Sequence, residues 1–216
     1  MFNRPSYKNA ALSQLKNRWS IPCLITLLTL VIVAIAAAAG NVVSIVVSGI
    51  LEVASIFLFI TMYTSSEQVS FDNFLQGLER TWLHALLASL WNFLWVFLWS
   101  LLFVIPGIIK HYSYSMMFYV IAENPQIGAI QSMNISKIMT QGHKADLFVM
   151  DLSFLGWAFL CTLSCGIGYI WLIPYMTSAK TNAYYDLKKM AFQTGVLSPS
   201  DFEVSQNAQS TQNQEI

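Results

Sequence analysis

Long runs of apolar residues alternate with short polar stretches along most of this chain. A run of about 20 apolar residues is long enough to cross the roughly 30 Å hydrocarbon layer of a bilayer as a helix. Six segments meet or approach this requirement: 20–39, 42–63, 82–105, 108–122, 145–165 and 169–187. The pattern therefore predicts an all-α, polytopic transmembrane bundle with about six spans.

Two of the six segments are weaker candidates than the others. Segment 108–122 is short for a span and contains two basic residues, and segment 169–187 contains a proline and Lys180. Pro106-Gly107 separates the third segment from the fourth, and we expect a tight turn there, because exposed loop backbone is not stable in lipid. Six spans is the interpretation that follows, with four spans as the alternative.

Amphipathic stretches precede three of the segments, at 6–18, 70–80 and 130–139. Each stretch places its apolar residues on one helical face: Tyr7, Ala11 and Leu15; Phe71, Phe74, Leu75 and Leu78; Ile135, Ile138 and Met139. We predict interfacial helices, the first of which starts at a Ser6 cap. The last two stretches are each followed by a span, a Gly-containing break and a Tyr-rich segment, which indicates a tandem unit.

The composition also favours a membrane protein. Hydrophobic residues make up 56% of the chain and charged residues 10%, and the mean hydropathy is +0.54. A soluble domain carries about 25% charged residues. Eleven basic residues balance eleven acidic ones, which argues against nucleic-acid binding. We predict a membrane domain over 1–195 and a disordered tail, rich in Gln, Asn and Ser, over 196–216.

The basic residues predict the orientation of the chain. With six spans, nine lysines and arginines fall on one side, and only Lys110 lies near the other. That other side holds three short turns, near Gly40-Asn41, Pro106-Gly107 and Gly166-Gly168. The nine are Arg4, Lys8, Lys16, Arg18, Arg80, Lys137, Lys144, Lys188 and Lys189. The positive-inside rule places this side, with both termini, in the cytoplasm, and the chain in the plasma membrane.

The first apolar segment is interpreted as an uncleaved anchor. A basic stretch, an apolar core and Ala37-Ala38-Ala39 together resemble a secretory signal peptide. However, the core is long for a signal peptide, and about twenty polar or amphipathic residues precede it.

A glutamate inside the second segment is the strongest functional hint. A charge at the centre of a span costs about 3 kcal/mol or more unless it is paired or hydrated. Glu52 lies near the midpoint of its segment. Two interpretations stay open: a carrier of protons, cations or a basic substrate, or a carboxyl that is protonated or hydrogen-bonded to Ser48 or Ser55.

Three further charged residues lie in or beside the predicted spans. Asp151 and Lys180 are on neighbouring helices, and we expect them to form a structural pair. Lys110 is close to an outer turn, from which its side chain can extend to the interface. Together with Glu52 these are the candidate intramembrane polar residues.

A tryptophan stripe and a cysteine pair complete the candidates. Trp91, Trp95 and Trp99 recur every four residues, and we favour a packing face over a stacking surface for a substrate or lipid ring. Cys161 and Cys165 share a helix face by spacing, and we expect small buried residues and not a metal or redox pair. No catalytic, phosphate-binding or metal-binding motif is present, so we predict no enzyme and no cofactor.

Several runs of the sequence resemble one bacterial membrane family. The most specific run is LWSLLFVIPGIIK at 98–110, followed by Tyr112-Ser113-Tyr114-Ser115-Met116. Further matches are Ser136-Lys137, Gly142-His143-Lys144, Leu147-Phe148, Leu152-Ser153-Phe154, Gly156-Trp157, Gly166-Ile167-Gly168, Trp171, Pro174-Tyr175 and Ala183-Tyr184-Tyr185. Over roughly 8–189 the chain resembles the family known as domain of unknown function 975, with a weak match over 41–68. The resemblance implies a multi-pass plasma-membrane protein with no assigned activity.

These observations lead to two expectations about function. The first is a non-enzymatic membrane component that acts by binding another membrane protein or further copies of itself. The alternative is a transporter of a small solute or lipid with Glu52 in its pathway. In both cases the lipid bilayer is the partner that the composition directly implies.

Overall fold

The protein is built from helices. The computed structural model describes residues 2–65, 69–102 and 104–202, and this part of the chain contains no strand. Its α-helices are α1 (Arg4–Leu15), α2 (Ser20–Ala39), α3 (Asn41–Thr64), α4 (Phe71–Leu102), α5 (Val104–Tyr114), α6 (Met117–Glu123), α7 (Ala129–Met139), α8 (Lys144–Leu152), α9 (Leu155–Leu163) and α10 (Tyr169–Gln193). A 3-10 helix follows at Pro199–Phe202. The all-α prediction is confirmed.

Four helical stretches are long and apolar enough to cross a membrane, judged by length and composition. They are Ser20–Ala39, Val43–Thr64, Phe71–Leu98 and Lys144–Leu163, the last of which comprises α8 and α9. Segments 108–122 and 169–187 are helical but are not among the four found within the described residues. Four apolar stretches are therefore established, and the six-span arrangement is a proposal taken up below.

The most extensive helix contact in the described chain is between α3 and α4. Gly49 makes it possible, because a Cβ atom at this position would lie 1.9 Å from Ser89 Oγ. A Cβ atom at Gly77 would likewise lie too close to Phe57, 2.9 Å from its Cβ atom. Small residues at such contacts let two backbones approach closely, which is a usual basis of helix packing in membranes. Buried residues of α3, α6, α7 and α10 form the core beside this pair.

α1 presents the predicted apolar face but begins earlier than predicted. Tyr7, Ala11 and Leu15 are buried. The helix is capped by Asn3, whose Oδ1 accepts a hydrogen bond from the Ser6 amide at 3.3 Å, so Ser6 is not the cap. Asparagine is among the favoured caps, and a proline in the first turn fits the helix without loss of a hydrogen bond.

Hydrogen bonds tie α1 to α10. Tyr7 Oη donates to Asp186 Oδ2 at 2.6 Å. Burial, reinforced by this bond, raises the pKa of Tyr7 well above its ordinary value, so the phenol stays a donor at physiological pH. Asn182 Nδ2 donates to Gln14 Oε1 at 2.9 Å. The N-terminal helix therefore lies against the C-terminal half of α10.

The third and fourth segments are joined differently from the prediction. α4 runs unbroken from Phe71 to Leu102, so the stretch 70–80 continues into the apolar helix and is not a separate one. α5 starts at Val104, and Pro106-Gly107 lies in its first turn instead of forming the break. A proline is tolerated there because first-turn amides have no intrahelical partner.

Two predicted spans are interrupted within their length. Segment 108–122 divides at Ser115-Met116 between α5 and α6, and segment 145–165 divides at Ser153-Phe154 between α8 and α9. By contrast, the chain turns where predicted at Gly40 and Gly166, whose φ angles of 131° and 85° suit glycine.

The predicted disordered tail starts with ordered residues. Leu197 and Phe202 are buried, and the Phe202 ring lies 5.6 Å from that of Phe192, between centroids. The chain after α10 thus folds back onto the bundle. Residues 203–216 lie outside the described part of the chain.

Candidate functional site

An ion pair between α8 and α10 is the centre of the candidate site. Lys180 Nζ lies 3.0 Å from Asp151 Oδ1 and donates a hydrogen bond to Asp151 Oδ2 at 3.1 Å. Tyr112 Oη, on α5, donates to the same Oδ2 atom at 3.2 Å. The predicted contact between Asp151 and Lys180 is confirmed, and Tyr112 is a third member that the sequence analysis did not identify.

Glu52 lies near the middle of α3 with an exposed side chain between buried neighbours. The hydrogen bonds from Ser48 or Ser55, which one interpretation gave as the alternative to a protonated carboxyl, are not formed. Both hydroxyls donate to backbone carbonyls of α3, at 2.9 and 2.8 Å, as serines in helices often do. Lys180 interacts electrostatically with Glu52, but no described cation forms a salt bridge with this carboxylate.

Two more polar side chains face the cluster. Tyr119, on α6, is 4% exposed and interacts electrostatically with Glu52 and Asp151. His111, on α5, is exposed and interacts with Lys180 and Asp151. Spacing along the sequence did not reveal this grouping, because the interruption between α5 and α6 changes which residues share a face.

The interruption between α5 and α6 is stabilised from α7. Ser136 Oγ donates to Ser113 O at 2.8 Å and accepts from Met116 N at 3.2 Å. One buried hydroxyl thus replaces bonds that a continuous helix would make. Thr140 Oγ1 is a second donor to Ser113 O, at 3.3 Å. Irregular backbone is stable at membrane depth when protein groups satisfy it in this way.

The interruption between α8 and α9 is contacted from α1. Lys8 Nζ donates to Ser153 O at 3.4 Å and lies 4.1 Å from the centroid of the Phe154 ring. Asp151 lies just before this interruption, and Tyr112 lies just before the other one. The two interrupted helices therefore carry two of the side chains that meet at the ion pair.

A second carboxylate cluster lies between α6 and α10. Glu123 Oε2 accepts hydrogen bonds from Tyr184 Oη at 2.5 Å and from Lys188 Nζ at 2.6 Å. The Glu123 and Lys188 side chains are 21% and 16% exposed. This carboxylate has both a counter-ion and a hydroxyl donor on α10, so it links the two helices.

The next candidates from the sequence are Lys110 and the tryptophans of α4. Lys110 is partly buried in α5, and the extension of its side chain to the interface stays a prediction. Trp91 and Trp95 pack edge to face with ring centroids 6.0 Å apart, a contact within α4, and packing against a neighbouring helix stays a prediction. The side chain of Trp99 lies outside the described part of the structure.

The cysteine prediction was wrong in its geometry. α9 ends at Leu163, so buried Cys161 is helical while exposed Cys165 lies in the following turn with a φ angle of 55°. The two residues do not share a helix face. In the ranges that the structure describes, no three His, Cys, Asp or Glu residues are grouped to hold a metal ion.

Glu52 and Asp151 both interact electrostatically with the ammonium of Lys180, and Asp151 binds it directly. The other carboxylate is exposed and has no salt-bridge partner among the described residues. This arrangement suits reversible binding of a charged solute.

Residues 101–191 match the model of the family described as protein of unknown function (DUF975), so this part of the chain is similar to that family. The match covers less of the chain than the resemblance outlined above. It includes Tyr112, Tyr119, Asp151 and Lys180, whereas Glu52 precedes it. No curated protein and no solved structure shows significant similarity to the chain.

Proposed function

We propose that this chain is an integral protein of the bacterial plasma membrane with six spans and both termini in the cytoplasm. α5 and α6 pack against α3 and α4, and α10 packs against α2 and α3, so each lies among helices of membrane length. The bond between Tyr7 and Asp186 supports an even number of spans, because it brings α1 and the end of α10 together. The distribution of lysine and arginine agrees with this parity.

Labelling of single cysteines tests this topology. Cys165 is exposed in the turn that the proposal places outside the cell. In a Cys23→Ser, Cys161→Ala background, we expect a membrane-impermeant maleimide to label Cys165 in intact cells. Gln76→Cys, in a background that also lacks Cys165, should be labelled only after the cells are opened. Labelling of position 76 in intact cells would contradict the arrangement.

Within this topology the protein binds and passes a small charged solute without catalysing a reaction. The observation that carries this proposal is the exposed and unpaired carboxylate of Glu52, in the middle of α3 and electrostatically coupled to Lys180. Ionisable residues inside spans commonly mark solute and ion pathways. Interrupted helices near the bilayer midplane are a second feature of transporter binding sites, and here α5–α6 and α8–α9 are both interrupted beside the cluster.

Transient currents from proteoliposomes on a solid-supported membrane test the proposal. The solutes are a panel of inorganic cations, amines, amino acids and organic acids, each applied by rapid exchange. We expect at least one solute to evoke a current that Glu52→Gln abolishes. Ser48→Ala is the matched control, because this hydroxyl serves only the backbone of α3 and its loss should leave the current in place. Folded wild-type protein that gives no current with any charged solute would overturn the proposal.

A second candidate, a partner in a membrane complex, is favoured by the surface of α9. Among the residues of this helix only Cys161 is buried, while Leu155, Trp157, Phe159 and Leu163 are each at least 60% exposed. In the membrane, lipid, another membrane protein or a second copy of the chain covers such a surface. Native mass spectrometry from mild detergent tests this candidate. A stable oligomer or complex supports it, and a monomer that carries only lipid contradicts it.

A further inference from the structure

A groove lies on the surface of the protein between α9 and α10. Its volume is about 570 Å³, within the range of about 300–1,000 Å³ that is usual for ligand sites. Most of its wall is formed by apolar and aromatic side chains, among them Leu12, Trp19, Trp157, Leu160, Trp171 and Tyr175. Trp157, Leu160 and Trp171 are each more than half exposed, so the groove is open to its surroundings.

The groove is elongated in the direction of α10. Its lining residues on this helix extend from the N-cap Gly168 to Tyr175, seven residues or about 10 Å of helix. Leu12 of α1 lies at the Tyr175 end, because Gln14 Oε1 accepts a hydrogen bond from Ser178 Oγ at 3.0 Å, one turn beyond Tyr175. An elongated apolar groove suits a hydrocarbon chain better than a compact solute.

The end of the groove at α1 carries positive charge only. Residues 1–51 contain four lysines and arginines and no aspartate or glutamate. Two of the four, Lys16 and Arg18, lie in the short link between the groove residues Leu12 and Trp19, and Lys16 is exposed. Basic residues beside a membrane attract anionic headgroups, and tryptophan is enriched at the headgroup level. An occupant with a negative charge at this end therefore complements the groove.

We propose that the groove binds one acyl chain of an anionic phospholipid, whose phosphate headgroup lies against Lys16 and Arg18. Such a lipid matches both features at once, because its chain covers the apolar wall and its phosphate neutralises the basic end. The inference goes beyond the proposed solute path, since the described residues that line the groove do not include Glu52.

Native mass spectrometry of the delipidated, full-length protein tests the site. The probes are phosphatidylglycerol and phosphatidylcholine with identical acyl chains, each added in increasing amounts. We expect one phosphatidylglycerol to bind with an apparent affinity about tenfold higher than that of phosphatidylcholine, because two bases lie at the headgroup end. Equal binding of the two lipids would indicate a general lipid shell and would overturn the proposal.

Two leucines of α9 give a matched pair of variants. Leu160 and Leu155 are 55% and 61% exposed, but only Leu160 lines the groove. Leu160→Trp should fill the groove and lower the apparent affinity for phosphatidylglycerol at least about tenfold, whereas Leu155→Trp should leave it unchanged. If the two variants bind the lipid equally well, the chain does not lie in this groove.

Charge reversal tests the headgroup end. Lys16 and Lys137 are exposed lysines at the C-terminal ends of α1 and α7. Lys16→Glu should remove most of the preference for phosphatidylglycerol, and Lys137→Glu should retain it. A preference that survives Lys16→Glu would contradict the proposed position of the phosphate. A stable oligomer that takes up no lipid would also overturn the proposal and would assign the groove to a second copy of the chain.

Discussion

Glu52 and Glu123 are both carboxylates near a lysine of α10, yet only one of them is paired. Glu123 accepts hydrogen bonds from Lys188 and Tyr184 at 2.6 and 2.5 Å. Glu52 interacts with Lys180 only at longer range, because Asp151 holds that ammonium. The comparison separates a carboxylate that is ion-paired within the fold from one that forms no salt bridge with the described residues.

The tyrosines beside the two glutamates repeat this difference. Tyr184 and Tyr119 are both buried, and their rings stack with centroids 5.5 Å apart. The Tyr184 hydroxyl donates to Glu123, whereas Tyr119 is related to Glu52 only by a longer-range electrostatic interaction. The paired cluster should therefore contribute to stability, and the unpaired one to binding.

The largest loss of stability is expected for Glu123→Gln. This change leaves the mostly buried Lys188 ammonium without its counter-charge, and breaking such a pair costs about 3 to 5 kcal/mol. Denaturant unfolding in detergent micelles measures the loss. Glu79→Gln is the control, because Glu79 is exposed and its change should have almost no effect. Equal stabilities for the two variants would show that the cluster at Glu123 has no structural role.

Lys180→Met should cost less, about 2 kcal/mol. The change removes the counter-charge of Asp151, but this carboxylate keeps its hydrogen bond from Tyr112. The Asp151–Lys180 pair is also more exposed than the Glu123–Lys188 pair, so its loss should cost less. The double variant with Asp151→Asn should recover most of the loss, because no buried charge then remains unpaired. If the double variant is no more stable than Lys180→Met, the pair is not the source of the effect.

Removal of the two tyrosine hydroxyls gives a matched comparison. Tyr184→Phe should cost about 1.5 kcal/mol, since it deletes a hydrogen bond to a charged group. Tyr119→Phe should cost less, because only a longer-range electrostatic interaction relates Tyr119 to Glu52. Both variants keep the stacked rings, so the same unfolding measurement reports the hydroxyl alone. Equal losses would contradict the distinction between the clusters.

Glu52→Gln should have the smallest effect on stability. Removing an unpaired charge from the middle of a span relieves its desolvation, so the free energy of unfolding should be unchanged or higher by up to about 1 kcal/mol. Abundance in the membrane and unfolding in micelles check this. A clear loss of stability would mean that the carboxylate is a structural group after all.

Hydropathy alone was enough to find the apolar helices and the unusual glutamate. Glu52 interrupts an otherwise uncharged run, and Asp151 and Lys180 stand out for the same reason. The turns at Gly40 and Gly166 were also predictable, because glycine suits positive φ angles. These features depend on local sequence, so a single sequence is enough to predict them.

The helix interruptions were not predictable, because distant residues stabilise them. Neither Ser115-Met116 nor Ser153-Phe154 contains glycine or proline, whereas Pro106-Gly107, which suggested a break, lies inside α5. Ser136 stabilises the first interruption across about twenty residues of chain, through its bond to Ser113 O. The position of Tyr119 beside Glu52 depends on this interruption, which is why spacing did not identify it.

Water accessibility at position 52 tests the central claim most directly, namely that Glu52 faces an aqueous solute path and not lipid. The measurement is the rate at which a water-soluble, positively charged methanethiosulfonate modifies Glu52→Cys, in a chain whose three natural cysteines are replaced. Ile35→Cys is the control, because Ile35 is 68% exposed on the apolar α2, where lipid should suppress the reactive thiolate. We predict modification at position 52 at least about tenfold faster than at position 35. Equally slow modification at both positions would place Glu52 in lipid and contradict the proposed path.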